Sequence, residues 1–300
     1  MRHQSLSQGF TMIELLVAVA IMAVVTTSAL MVFTTQHKTY LGQERVLEVQ
    51  QDARLVAEMV LADVRTAGLL MPPITGIAGR DGGSSGPDVL CVSDPSVINE
   101  ANLLAALVPF DGANLFAPVV AAATTVELVP STMDVDGDGD DDFADNAGII
   151  FSDGGDTHCA RITDVTGNVV TFVPATPAGF SVATSSGRAA PAVIYELTGS
   201  GLLRNAILLS TQVENLQVEY AIDVDDDGVI SNTEFPIHDM TASDPSLIRG
   251  LRLSVITRTR GEDPEFRGSG MPVAGNHAAG AADGFRRRRF TASVAARNLL

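Results

Sequence analysis

Two twelve-residue stretches place oxygen donors at a spacing that suits a hard cation. The later one, Asp223 to Glu234, reads DVDDDGVISNTE. It fits the D-x-D-x-D-G-x5-E calcium loop at every required place. Asp223, Asp225 and Asp227 offer side-chain oxygens, Gly228 permits the sharp turn, and Val229 offers its carbonyl. Ser231 reaches the ion directly or through water, and Glu234 closes the loop as the bidentate ligand. The earlier stretch, Asp134 to Asp145, reads DVDGDGDDDFAD. Asp134, Asp136, Asp138, Asp140, Asp142 and Asp145 take the same places with Gly139 at the turn, but aspartate replaces the terminal glutamate and reaches less far. Twelve carboxylates and no basic side chain fall in these 24 positions, so the like charges repel unless a cation joins them. The plainer alternative is a pair of solvated acidic turns. The expected cofactor is a structural Ca2+, with affinity on the order of 10⁻⁴ to 10⁻³ M.

Other groups carry weaker signals. Cys91 and Cys159 are the two cysteines, and the expectation is one disulfide, with two separate buried thiols as the alternative. The chain-entropy model gives such a bridge ~4 kcal/mol. The neighbouring His158 with the cysteines lacks the paired spacing of a metal site. Arg286 to Arg289 form the one basic cluster, expected to enter a strand and pair with acidic groups of the head or of a neighbouring subunit. A formal net charge of −17 argues against direct nucleic-acid binding. No P-loop, dinucleotide fingerprint or nucleophile elbow supports an enzyme reading.

Glu14 is the remaining chemical oddity. From Leu15 to Gln36 no side chain is charged, a run of 22 residues and long enough for a bilayer core of ~30 Å. A carboxylate at the edge of such a run is a functional candidate. The residues before it, MRHQSLSQG, are short, polar and weakly basic. The alternative of a cleaved secretory signal asks for a shorter apolar region and a better cleavage site after it.

Gly9-Phe10-Thr11-Met12-Ile13-Glu14 resembles the leader junction of type IV prepilins and type II secretion pseudopilins. The resemblance implies cleavage after Gly9 by a prepilin peptidase and N-methylation of Phe10. It also implies that Glu14 pairs with the N-terminal amine of a neighbouring subunit, a register device more than a stability device. In the tail, Ile248-Arg-Gly-Leu-Arg-Leu-Ser-Val-Ile-Thr-Arg, Arg288-Arg-Phe, Ala296-Arg-Asn and LQVEYAID resemble PilW-type minor pilins. This implies an α+β, pilin-like fold and a subunit that primes pilus assembly at the filament tip, for adhesion, twitching motility or DNA uptake. The implied partners are other minor pilins, the major pilin and an inner-membrane assembly platform. The implied location is a single-pass inner-membrane protein with its head in the periplasm, and later the pilus. The alternatives are a minor pseudopilin of a type II secretion system and a tip adhesin whose head binds a ligand.

The elements that must position these groups follow from periodicity. Val46, Val49, Ala53, Val56, Val60, Val64 and Ala67 recur at steps of three or four, one face of a helix, and Leu55 and Met59 are expected to widen the stripe. Gly68 is a plausible cap, and Pro72-Pro73 forbids continuation. A helix from Thr11 to Ala67 would be ~85 Å long. The expected organisation is a leader at 1–9, a helix at 10–67 that spans the membrane over about 12–35, and a β-rich head at 68–300. Strands are expected at Asp88–Val92, Thr125–Val129, Gly148–Ser152, Val169–Val173, Ala192–Leu197, Leu216–Ile222, from Leu251 and from Phe290. Gly76 to Pro87 and Gly261 to Gly284 read as loops.

Overall fold

The structure, a computed structural model, describes residues 11–69, 71–98, 110–263, 266–268 and 270–299. The leader junction at Gly9 and Phe10 lies outside the described residues. The chain divides into two compact units, Met1–Glu48 and Val49–Leu300. In the first, α1 (Met12–Thr66) begins, and its apolar side chains from Met12 to Phe33 are all exposed in the single chain. By length and composition it can cross a membrane.

In the second unit α1 is amphipathic. Val49, Ala53, Val56, Ala57, Val60, Leu61 and Val64 are buried. Burying each valine or leucine fully contributes about 1.5–3 kcal/mol. Leu55 is 62% exposed and Met59 sits at 36%, so the stripe does not widen toward them as expected. It widens toward Ala57 and Leu61, because the head covers that flank of the helix. Gly68 ends the helix with φ +72, where a side chain would also meet Leu299.

Fifteen strands follow among the described residues, all paired antiparallel. They are β1 (Ile77–Arg80), β2 (Val89–Ser93), β3 (Ala113–Asn114), β4 (Val119–Val120), β5 (Thr125–Glu127), β6 (Gly148–Ser152), β7 (Thr157–Thr166) and β8 (Val169–Val173). Then come β9 (Ser181–Val182), β10 (Arg188–Thr198), β11 (Gly201–Arg204), β12 (Ile207–Ser210), β13 (Val213–Ile222), β14 (Ile248–Arg258) and β15 (Arg287–Ala295). A ten-stranded sheet runs β1-β2-β10-β6-β7-β8-β5, with β3 and the β11-β12 hairpin attached through β10. A three-stranded sheet, β13-β14-β15, lays Leu216, Val255 and Phe290 in one row and Tyr220, Leu251 and Val294 in another toward the core shared with α1.

Strand β1 lies inside the stretch read as a loop. Its Gly79 admits the Tyr220 hydroxyl, which would lie 2.0 Å from a Cβ there, so the glycine serves close packing and not flexibility. Strand β7 and the β11-β12 hairpin also escaped the pattern. In β7 the polar Arg161, Thr163 and Asp164 interrupt the alternation, and a register shift falls between Ile162 and Asp164. Cys91 on β2 and Cys159 on β7 form a disulfide with Cα atoms 5.8 Å apart, in a small apolar cluster with Ala78, Ile150, Ala192 and Ile194.

Polar contacts fasten α1 to the head, among them the Thr257 hydroxyl donating to the Val49 carbonyl at 3.0 Å. Asp63 accepts from the Tyr195 hydroxyl at 2.6 Å and from Arg204 Nε at 3.0 Å, while Asp52 accepts from the Ser210 hydroxyl. Burial, then the hydrogen bond to Asp63 and its charge, push the Tyr195 phenol well above its usual range, and Arg204 opposes them.

Candidate functional site

Loop 2, residues 223–234, starts where β13 ends. A strand end is a fixed point, so the first carboxylate is held by the sheet. Asp223 is buried, and its N–H donates to the Leu247 carbonyl at 2.9 Å. Its oxygens accept from the N–H groups of Asp227 and Gly228, each at 3.1 Å. Glu234 folds back across the loop, with one oxygen accepting from Val224 N–H and the other from Ser231 N–H, each at 2.8 Å. Those hydrogen bonds, Ser231's first, hold its carboxyl below the usual range. One oxygen each from Asp223, Asp225 and Glu234 lie within 4.8 Å of one another. That spacing suits a cation bound to all three at 2.3–2.6 Å. Asp227 instead accepts from Val229 N–H at 2.7 Å and stands outside this trio, and the Ser231 hydroxyl is paired with that of Thr233.

Loop 1, residues 134–145, hangs between a short 3-10 turn at Pro130–Thr132 and β6. Asp134 accepts from the N–H groups of Gly137 (2.6 Å), Asp138 (3.0 Å) and Gly139 (2.9 Å). The glycines at 137 and 139 have φ +76 and +104, which lets the chain wrap round that carboxylate. Asp134, Asp136 and Asp138 bring one oxygen each within 4.8 Å. Asp142 accepts from Val135 N–H at 2.6 Å and closes the loop from the side. Burial pushes its carboxyl up to about 6; the Val135 hydrogen bond opposes this, and Asp136, Asp134 and Asp138 add to it. Asp140 and Asp145 are exposed and not in the trio, so the loop is closed by Asp142 and not by the residue at its twelfth place. Aspartate at that place is too short to fold back as Glu234 does.

One residue at loop 2 was not identified from spacing. Arg249, the second residue of β14, brings Nε to 3.2 Å from Asp223 and Nη2 to 2.8 Å from Asp226, and its Nη1 donates to the Ser246 carbonyl at 3.1 Å. It lies in the quoted tail, but only the register of β14 against β13 carries it to the loop.

Glu14 has a local partner. Thr11 N–H and hydroxyl donate to its carboxylate at 3.3 and 3.2 Å, and Glu14 N–H returns to the Thr11 hydroxyl at 3.3 Å. This is a reciprocal capping box at the start of α1. In the arginine cluster, Arg286 pairs with Asp263 at 2.8 Å, and Arg287 bridges Glu214 and Asp283, each at 2.5 Å. His158 is buried among Phe151, Phe172 and Phe180 with Nε2 at 3.1 Å from the Pro174 carbonyl. Burial lowers its pKa to about 4, so it stays neutral and structural.

The profile for Type IV Pilus-assembly protein W (PilW) matches residues 179–298, a span that holds loop 2 and the three-stranded sheet. The Prokaryotic N-terminal methylation motif matches residues 5–30. Among solved structures, a type IV-like pilin from Thermus thermophilus overlaps at 15% identity and a TM-score of 0.33, covering 84% of this chain and 98% of that one. The Gp54 tailspike of Acinetobacter baumannii bacteriophage AP22, in complex with A. baumannii capsular saccharide, overlaps at 11% identity and a TM-score of 0.21, covering 27% of this chain and 14% of the tailspike. No curated protein matches the chain.

Proposed function

We propose that this chain, a type IV pilin-like protein whose C-terminal region is PilW-like, is a minor pilin that primes or supports pilus assembly at the filament tip. The observation that carries the reading is the joint presence of the methylation motif at 5–30 and the PilW match at 179–298 on one chain. The apolar start of α1 anchors the unassembled subunit in the inner membrane, and the head faces the periplasm. Cleavage after Gly9 frees Phe10 for methylation. Glu14, capped by Thr11 in the lone chain, exchanges that local partner for the N-terminal amine of a neighbour on assembly. The exchange gains a charge pair in a low-dielectric setting, where an unpaired carboxylate is costly. The role is structural and not enzymatic. Other minor pilins, the major pilin and the assembly platform are its partners.

A deletion strain tests this. Sheared surface pili should be lost while exoprotein secretion stays normal. The reverse outcome would make the chain a minor pseudopilin of a type II secretion system. Glu14→Ala should still be processed after Gly9 yet fail to restore pili.

Calcium belongs to the proposal as a structural ion. In loop 2 the donors are Asp223, Asp225 and Glu234, and in loop 1 they are Asp134, Asp136 and Asp138. An ion would supply positive charge to each trio and tie its loop to the neighbouring sheet. The measurement is the melting temperature of the full chain in detergent with EDTA and with millimolar calcium, and an unchanged value would remove calcium from the reading.

A further inference from the structure

Asp223 is a buried carboxylate, with its side chain 1% exposed, and such a charge is costly unless paired. Backbone N–H groups give it two hydrogen bonds but no full charge. The guanidinium of Arg249 supplies that charge. Held by the Ser246 carbonyl on one side and by Asp223 and Asp226 on the other, it bridges the first and fourth residues of loop 2. Its side chain is 21% exposed, and its backbone is anchored in β14. The forked donor geometry of arginine suits two carboxylates at once.

We infer that Arg249 is a resident counter-cation of loop 2, neutralising Asp223 and Asp226 in the ion-free head and competing with a divalent cation for Asp223. The second half rests on the calcium reading above; the first does not. A calcium ion bound to an Asp223 oxygen at about 2.4 Å would lie only a few ångströms from the guanidinium, which donates to the same carboxylate. Like charges at that separation repel, so the guanidinium has to withdraw before the ion settles. Loop 2 therefore keeps its shape when calcium is scarce and answers calcium only above a threshold that Arg249 sets.

The experiment uses the full chain in detergent and compares wild type, Arg249→Gln and the double variant Asp223→Asn/Arg249→Gln by thermal melting. In EDTA, Arg249→Gln should melt on the order of 5–10 °C lower than wild type, because it strands Asp223. The double variant should recover a large part of that loss, since no buried charge is then left unpaired. Calcium should raise Arg249→Gln more than wild type, with a midpoint at least roughly tenfold lower, equivalent to about 1.4 kcal/mol. An Arg249→Gln chain that melts like wild type in EDTA overturns the counter-cation role. So does a double variant no more stable than Arg249→Gln, which keeps the test decisive even if the single variant folds poorly. A loss in EDTA that calcium does not repair leaves the counter-cation in place and removes calcium from loop 2.

Discussion

Loops 1 and 2 share a motif and differ in how their charge is balanced. In loop 2, Glu234 folds back to accept two backbone N–H groups, and its carboxyl is held below the usual range. Arg249 brings a positive charge to Asp223 from a strand far along the chain. In loop 1, Asp142 accepts one N–H, and burial with three neighbouring aspartates raises its carboxyl to about 6. Negative charge is welcome at the closing residue of one loop and resisted at the other. The closer motif match thus carries an arginine on its first carboxylate, and the weaker match has a closing carboxyl whose charge is resisted. Motif spacing reports which oxygens can approach, not whether their charges are met.

Four measurements test that contrast. The largest effect should come from Asp223→Ala, which leaves Arg249 half-buried without its buried partner and should cost about 3–5 kcal/mol. Asp134→Ala, which removes an acceptor of backbone N–H groups at the surface, should cost only about 1–2 kcal/mol. Denaturant unfolding of both variants in EDTA checks this, and equal losses would erase the difference between the loops.

Next in size is the calcium response. At a calcium concentration near 100 times the dissociation constant, a site that binds only the folded state adds about 2.7 kcal/mol. Most of the rise in melting temperature should vanish in Asp134→Asn, because among the described residues Asp134 is cradled by N–H groups and no arginine donates to it. A full rise in Asp134→Asn would reverse the ranking.

A smaller background comes from two groups outside both loops. Burial drives the Asp88 carboxyl up to about 7; hydrogen bonds from Val218 and Gly82 oppose this, and Asp81 reinforces it. The folded head then holds a proton that the unfolded chain releases near pH 3.8, so this stability is present at acidic pH and is lost as pH rises through 7. His158 acts in the other direction. Folded, it titrates near 4, and unfolded near 6.5, so its contribution is lost as pH falls between those values. The two slopes oppose, so between about pH 4 and 6.5 they largely cancel and leave a small net dependence. Asp88→Asn should unmask the rising limb between pH 4 and 6.5 while leaving the calcium response at pH 8 unaltered.

The smallest change is Asp142→Asn. It removes a resisted charge and keeps an oxygen for the Val135 N–H, so stability in EDTA should hold or rise by up to about 1 kcal/mol. Glu234→Gln, by the same measurement, should lower it, because its charge is the form its hydrogen bonds favour.

Much of this was legible in the residues. The step of three or four from Val49 to Val64 marked the buried helix face, and Gly68 marked its end. Runs such as Gly148–Ser152 and Val169–Val173 are strands with the bounds expected. What failed did so for tertiary reasons. Leu55 is as apolar as Leu61, and only the placement of the head decides that one is exposed and the other buried. Gly79 looks like loop punctuation until Tyr220 is placed over it. Asp227 and Asp145 hold motif places, but the trios of close carboxylate oxygens do not include them.

Features with a local cause can be read from the order of residues alone. These are the apolar run with Glu14 at its start, the helix period, the strand alternation, and the order of carboxylates along each loop. Local interactions set them because the groups involved are a few residues apart. Packing of distant segments sets which flank of α1 the head covers, brings Asp63 to Tyr195 and Arg204, and carries Arg249 to Asp223 across 26 positions of chain. Those outcomes depend on strand register, since a shift of one residue in β14 would turn Arg249 to the other face of its sheet and leave the buried carboxylate alone.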